Sequence, residues 1–219
     1  MTGLLIKDIK LLQKQSRFFL LCVLCYGIFL IGGGPEYSLF LICYLTFVFT
    51  MFSISSFSYD EYDNCMAFLL SLPVERKDYV KEKYVFSILM SFGGWLLSIL
   101  LLFVVVMIRR TQVDWTEYIG ASLIYLTGVW LFQSVSLPLI FRFGSEKGRI
   151  CSFAVLGIFT GILFYFGKHG LFDNIKSGLG GLAYADGILE LGIILTAVAL
   201  AGLLNSYHIS GCFMKKRDF

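Results

Sequence analysis

The sequence predicts an all-α, polytopic membrane protein with six transmembrane helices, an amphipathic helix before the first of them, and a short cytoplasmic helix between the second and third. Three observations carry this reading. The 219 residues are 58% hydrophobic and only 15% charged. Their mean hydropathy of +0.79 is more than a soluble fold of this size can hide, because a domain of roughly 200 residues still exposes about a quarter of its unfolded area. The lysines and arginines also fall between the apolar runs rather than inside them. The same composition excludes a disordered chain, and a net charge of +3 is too small to argue for a nucleic-acid partner.

The first element, residues 4–17, places Lys7, Lys10, Lys14 and Arg17 at helical spacing, with Leu5, Ile9 and Leu12 on roughly the opposite face. This pattern predicts an interfacial helix, its basic side toward anionic lipid headgroups and its leucines in the acyl boundary. No cleavable leader is expected, since the apolar run that follows has no small-x-small cleavage site. That run, 17–34, is the first predicted span. It ends in Gly32-Gly33-Gly34-Pro35, which leaves almost no loop before the second span at 37–57. Further apolar runs of bilayer length cover 84–108, 118–141, 150–167 and 187–209. Pro138 is expected to kink the fourth.

Counting basic residues between these runs gives the orientation. The N-terminal segment holds Lys7, Lys10, Lys14 and Arg17, and the second connection holds Arg76, Lys77, Lys81 and Lys83. Arg142, Lys147 and Arg149 lie in the fourth connection, and Lys215, Lys216 and Arg217 in the tail. The opposite side carries only Arg109, Arg110, Lys168 and Lys176. The rich side is therefore expected to be cytoplasmic, with both termini on that side of the membrane. Every lysine and arginine sits at or outside a span boundary, and Glu190 alone among the acids enters a span. Ion-coupled carriers keep ionisable groups near the midplane, so the energy source is expected outside the membrane. The six cysteines lie in or beside apolar runs or in the cytoplasmic connection, and no disulfide or metal site is expected from them.

The connection at 58–83 is long for a mere hairpin. An acidic cluster, Asp60, Glu61 and Asp63, precedes Cys65, Phe68, Leu69 and Leu72, which recur at helical spacing on one face. Pro73 suits the first turn of a new helix, where its missing N–H costs nothing. From there a continuous helix to residue 108 would run about 54 Å, several turns more than the bilayer core needs. Its excess, carrying Arg76 and Lys77 among other charges, must project into the cytoplasm.

Residues 58–84 resemble the signature of ABC-2 type transporter permeases, specifically the small six-span bacterial branch whose ATPase is a separate chain. The points of resemblance are Asp60-Glu61 after the second span, Leu69-Leu-Ser-Leu72-Pro73-Val74, and Arg76-Lys77-x-x-Val80-x-x-Lys83-Tyr84 leading into the third. The resemblance implies an elbow helix at 4–17 and a coupling helix at about 64–72. That coupling segment, with Asp60, Glu61, Cys65, Phe68, Leu69, Leu72, Pro73, Arg76 and Lys77 in or beside it, would dock on the ATPase. It also implies pairing with a second permease subunit, identical or different, around a pathway for an amphipathic cargo such as a peptide, lipid or drug. No Gly-x-x-x-x-Gly-Lys-Ser/Thr run is present, so the chain is expected to need no cofactor of its own, with ATP and magnesium bound by the partner.

Two other classes compete at this stage. A substrate-binding membrane subunit of a vitamin importer has similar size, but needs a small-residue docking face on its first helix, where this chain is bulky. An intramembrane enzyme needs paired acids or a nucleophile and base at one depth, and only Asp186 and Glu190 come near that description.

Overall fold

The computed structural model describes residues 2–33, 38–61, 76–110, 114–168 and 185–216, all but four of them helical. Seven helices make up these residues: α1 (Thr2–Lys14), α2 (Ser16–Gly33), α3 (Ser38–Glu61), α4 (Arg76–Arg109), α5 (Trp115–Phe143), α6 (Ser145–Lys168) and α7 (Ala185–Lys216). The stretches 38–61, 76–109, 118–143 and 189–214 are long and apolar enough to cross a membrane. The chain is thus an integral membrane protein built around at least four such helices. Their outward faces are apolar as well. Leu96, Leu100, Phe103 and Met107 on α4, and Ile193, Ile194, Val198 and Leu204 on α7, are all exposed, as lipid-facing side chains must be when lipid is the solvent.

α4 is one unbroken helix of 34 residues through Gly93 and Gly94, about 51 Å long. The apolar part begins at Tyr84, so its first two turns, 76–83, extend beyond the hydrocarbon. Pro73 lies outside the described residues.

The core is laid in three patches. Ile54 and Phe57 of α3, Tyr79, Val80 and Tyr84 of α4, and Leu137, Ile140 and Phe141 of α5 pack with Leu4 of α1 and with Leu203 and Met214 of α7. Tyr26, Leu41, Ile42, Leu45, Leu102 and Val106 join α2, α3 and α4. Phe19, Phe52, Phe86 and Met90 join the same three helices in a third patch. The most extensive helix pair is α5 with α7. Gly192 permits part of it, since a Cβ there would come 3.0 Å from the Gly120 carbonyl oxygen.

Pro138 sits inside α5 without ending it. A proline cannot donate to the carbonyl four residues earlier, and α7 supplies the replacement: Ser206 Oγ donates to the Ser134 carbonyl at 2.6 Å. The Tyr84 hydroxyl then meets Ser206 Oγ at 2.6 Å and Ser210 Oγ at 2.7 Å. One proline therefore recruits a hydroxyl chain that ties α4, α5 and α7 together. Nearer the middle of the bundle, Trp130 Nε1 donates to Ser91 Oγ (2.9 Å) and Gln133 Nε2 to the Ser87 carbonyl (3.1 Å), joining α5 to α4.

The turn from α5 to α6 is a single residue. Gly144 adopts φ 89°, a conformation costly for residues with a Cβ, and its N–H bonds the Ile140 carbonyl. Gly148 then lets α6 fold back, as a Cβ there would sit 2.6 Å from the Ile140 Cα.

Candidate functional site

Among the described residues, the largest concentration of buried charge lies where α1, the end of α3 and the start of α4 meet. Asp8 on α1 falls one turn after the buried Leu4, on the face that turns inward. Asp60 occupies the last turn of α3, and Tyr79 and Lys83 stand one turn apart on the first two turns of α4, before its apolar part, so both face the same neighbours. Lys83 is 0% exposed. Its Nζ contacts Asp8 Oδ2 at 2.6 Å, Asp60 Oδ2 at 2.8 Å and Ser56 Oγ at 2.9 Å. All three ammonium hydrogens thus have acceptors. The Phe57 and Tyr79 rings lie beside the same nitrogen, at 5.2 and 5.6 Å from Nζ to ring centre. Tyr79 donates its hydroxyl to Asp60 Oδ2 at 2.9 Å, and Lys7 approaches the other oxygen of Asp60 at 2.5 Å and Asp8 Oδ1 at 3.3 Å.

The charge states follow from competition between burial and neighbours. Burial alone would raise Asp60, but Lys83 and Lys7 outweigh it and hold the carboxyl below its ordinary value. Burial alone would lower Lys83, but Asp60 and Asp8 reverse that and hold the ammonium above its usual value. Burial, and then the Asp60 carboxylate, push Tyr79 well up, so it remains a donor. Glu82 goes the other way from Asp60: burial dominates and raises it to about 8. Neither of its oxygens receives a hydrogen bond.

Beside this cluster, Glu61 Oε2 accepts the Ser145 backbone N–H at 2.6 Å, a carboxylate at a helix N-terminus with dipole and hydrogen bond both favourable. A cavity of about 370 Å³ opens there, lined by Ser58 and Glu61 from α3 and by 143–147 and Arg149 from the α5–α6 turn. Arg76 donates to the Met214 carbonyl at 3.2 Å, fastening the start of α4 to the end of α7. Lys77 is exposed, as are Lys10, Lys14 and Arg17. Lys7 instead turns toward Asp60, so one of the four basic residues expected at the headgroups forms an internal ion pair. On α1 the outward apolar side chains are Ile6 and Ile9. Cys65, Phe68, Leu69, Leu72 and Pro73, the heart of the expected coupling segment, lie outside the described residues.

The sequence reading gave no site role to Asp8, Tyr79 or Glu82, and took Lys83 only as an orienting charge and a point of resemblance. A signal for them exists in hindsight: Asp8 is an acid on the apolar side of a basic helix, and Tyr79 and Lys83 share one face of α4. Pairing between residues 53 and 75 positions apart is what a linear reading cannot supply.

A groove of about 350 Å³ runs along the side of the bundle between α5 and α6, lined by Leu131, Phe132, Val135, Val155 and Leu156 with Gly128, Ser134 and Ser152. In comparisons with known proteins, the family model described as ABC-2 family transporter protein matches residues 3–215. No curated protein and no solved structure matches the chain.

Proposed function

The chain belongs to the ABC-2 family of transporter proteins, and on that premise we propose that this membrane permease works as the translocating half of an exporter driven by a separate ABC ATPase. Its cargo is amphipathic, its termini are cytoplasmic, and it pairs with a second permease subunit in the bacterial inner membrane. The observation that carries the reading is the buried cluster of Asp8, Asp60, Tyr79 and Lys83. It fixes both ends of the 62–75 connection to each other and to α1, because Asp60 and Lys83 flank that connection and bond directly. A push delivered to a coupling helix within 64–72 would reach α3 and α4 as one body, with the elbow helix carried along through Asp8 and Lys7.

Parity supports six passes. Lys7 meets Asp60, Glu61 meets Ser145, and Arg76 meets Met214, so the N-terminal helix, the end of α3, the start of α4, the α5–α6 turn and the end of α7 all share one end of the bundle. The same end carries most of the basic residues. For α3 to start at the far end, α2 must cross from the near one, and α6 must cross to bring the chain back to the start of α7. At 18 and 24 residues these helices are about 27 and 36 Å long, enough to span. The aromatic-rich spans and the apolar groove with two serines on its wall suit a cargo with both apolar and polar parts.

The test is reconstitution with the ATPase in proteoliposomes and export of a fluorescent amphipathic peptide. Phe68→Asp and Leu69→Asp place a charge where docking must desolvate it, at a cost of several kcal/mol unless paired. Both variants should insert normally yet lose co-purification with the ATPase and lose export, whereas Lys14→Ala should keep both. Full ATPase binding and export by the aspartate variants would overturn the coupling assignment.

A further inference from the structure

The buried cluster holds one carboxyl more than its cations can neutralise. Lys7 and Lys83 face Asp8, Asp60 and Glu82, and each of these side chains except Lys7 is almost wholly buried. Lys83 spends its hydrogens on Asp8 Oδ2, Asp60 Oδ2 and Ser56, and Asp60 is further occupied by Lys7 and Tyr79. What remains is Asp8 Oδ1, which lies 3.3 Å from Lys7 Nζ but receives no hydrogen bond, and both oxygens of Glu82, which receive none either. Two buried carboxyl groups with vacant oxygens are within hydrogen-bonding reach of each other. Buried carboxylates without donors are costly, and like charges sharing a site cannot both ionise cheaply. A single proton removes both problems, since a protonated Glu82 donates to Asp8 Oδ1 and the cluster becomes neutral.

We propose that Asp8 and Glu82 share one proton, and that this carboxyl pair is a latch holding α1 against α4 at the cytoplasmic end, released when the proton leaves. Losing it puts two adjacent buried anions on different helices, and the element that can yield is α1, which touches the rest of the chain over a short length through Leu4, Lys7, Asp8, Leu11 and Leu12. The groups facing Glu82 are Lys83 on its own helix and Lys7 and Asp8 on α1, with Asp60 of α3 and Tyr79 completing the cluster. Glu82 is raised from 4.5 to about 8 in the latched state. The sign is therefore fixed: latching is strongest below the ordinary carboxyl value and is lost as pH rises through about 8. Across that interval opening becomes easier by about tenfold per pH unit, then levels off.

The experiment uses the full chain in lipid nanodiscs. Infrared spectra between about pH 6 and pH 9 follow the carbonyl stretch of a protonated carboxyl, and spin labels at the exposed positions Lys10 and Lys81 report the α1–α4 distance. The expected result is a protonated-carboxyl band lost with a midpoint near 8, absent from Glu82→Gln, and a distance distribution that broadens over the same range. Glu82→Gln keeps the shape and donor of the protonated acid, so its distance should stay short and single at every pH. Asp8→Asn provides an independent check by removing the neighbouring anion, which should move the midpoint down. A wild-type distance that ignores pH, a band that persists in Glu82→Gln, or an unshifted midpoint in Asp8→Asn would overturn the latch.

Discussion

Lys83 illustrates how one residue can take its meaning from its surroundings. At the mouth of a span a lysine ordinarily snorkels to water, and the sequence places Lys83 among the basic residues that set orientation. In the fold it is enclosed, with three acceptors and two rings around its ammonium. Such an ion pair contributes little beyond an apolar substitute of equal shape, but breaking it from one side is costly. Lys83→Met should leave Asp8 and Asp60 buried with Lys7 as their only cation, lowering stability by about 3–5 kcal/mol. Combining it with Asp60→Asn and Asp8→Asn should recover most of that loss. Thermal unfolding in detergent, followed by tryptophan fluorescence, measures both. The pH dependence has opposite slopes on its two sides. Asp60 is depressed, so its stabilisation is present above the ordinary carboxyl value and disappears as pH falls through its folded value. Lys83 is raised, so its share is complete below 10.5 and disappears as pH climbs through its folded value. A Lys83→Met variant as stable as the wild type would mean that the cluster is not held together by that ammonium.

At the scale of elements, polar side chains act where the helical ladder is interrupted. Pro138 frees the Ser134 carbonyl, and Ser206 on α7 takes it. Ser206→Ala should therefore destabilise the α5–α7 contact by about 1–3 kcal/mol, the cost of a buried acceptor left without a donor. The double variant Ser206→Ala with Pro138→Ala should lose much less, because residue 138 regains its N–H and restores the bond within α5. A double-mutant cycle on unfolding midpoints checks this, and additive losses would show the two residues to be independent. The elements themselves were largely legible in the sequence, since apolar runs of bilayer length become helices wherever lipid forbids open backbone. The long α4 was legible from the lack of breakers between 76 and 109. The kink expected at Pro138 was read from proline alone, and the Ser206 hydroxyl that takes the carbonyl freed by the proline was invisible without knowing that α7 lies alongside. The same limit applies to the cluster: Asp60 and Lys7 were marked as candidates in separate segments, while their bond, and the roles of Asp8 and Glu82, depend on tertiary packing that no local period encodes.

The arrangement of the whole molecule in the membrane rests on two independent arguments that meet at one end of the bundle. The internal ion pairs and caps collect the ends of α1, α3 and α7, the start of α4 and the α5–α6 turn on one side, without saying which side of the bilayer it is. The proposed orientation takes that from the distribution of lysine and arginine. Fourteen of the 18 basic residues belong to segments on that side, and such segments stay cytoplasmic because positive charge resists translocation. Single cysteines in a background lacking the native six separate this arrangement from its inverse and from a four-span alternative. Thiols at Gly34, Thr111 and Ser177 should react with a membrane-impermeant maleimide in intact cells, while thiols at Ser71 and at the exposed position Glu146 should react only after permeabilisation. Ser177 and the exposed position Lys10 are the decisive sites: Ser177 is external only if α6 crosses, and a thiol at Lys10 is shielded in intact cells while Gly34 is labelled only if α2 crosses. Were α2 and α6 to lie in the interface instead, a thiol at Lys10 would share the side of Gly34 and Thr111, and one at Ser177 would share the side of Ser71. Labelling of Ser71→Cys in intact cells would invert the molecule, and with it the side from which an ATPase could reach the segment between α3 and α4.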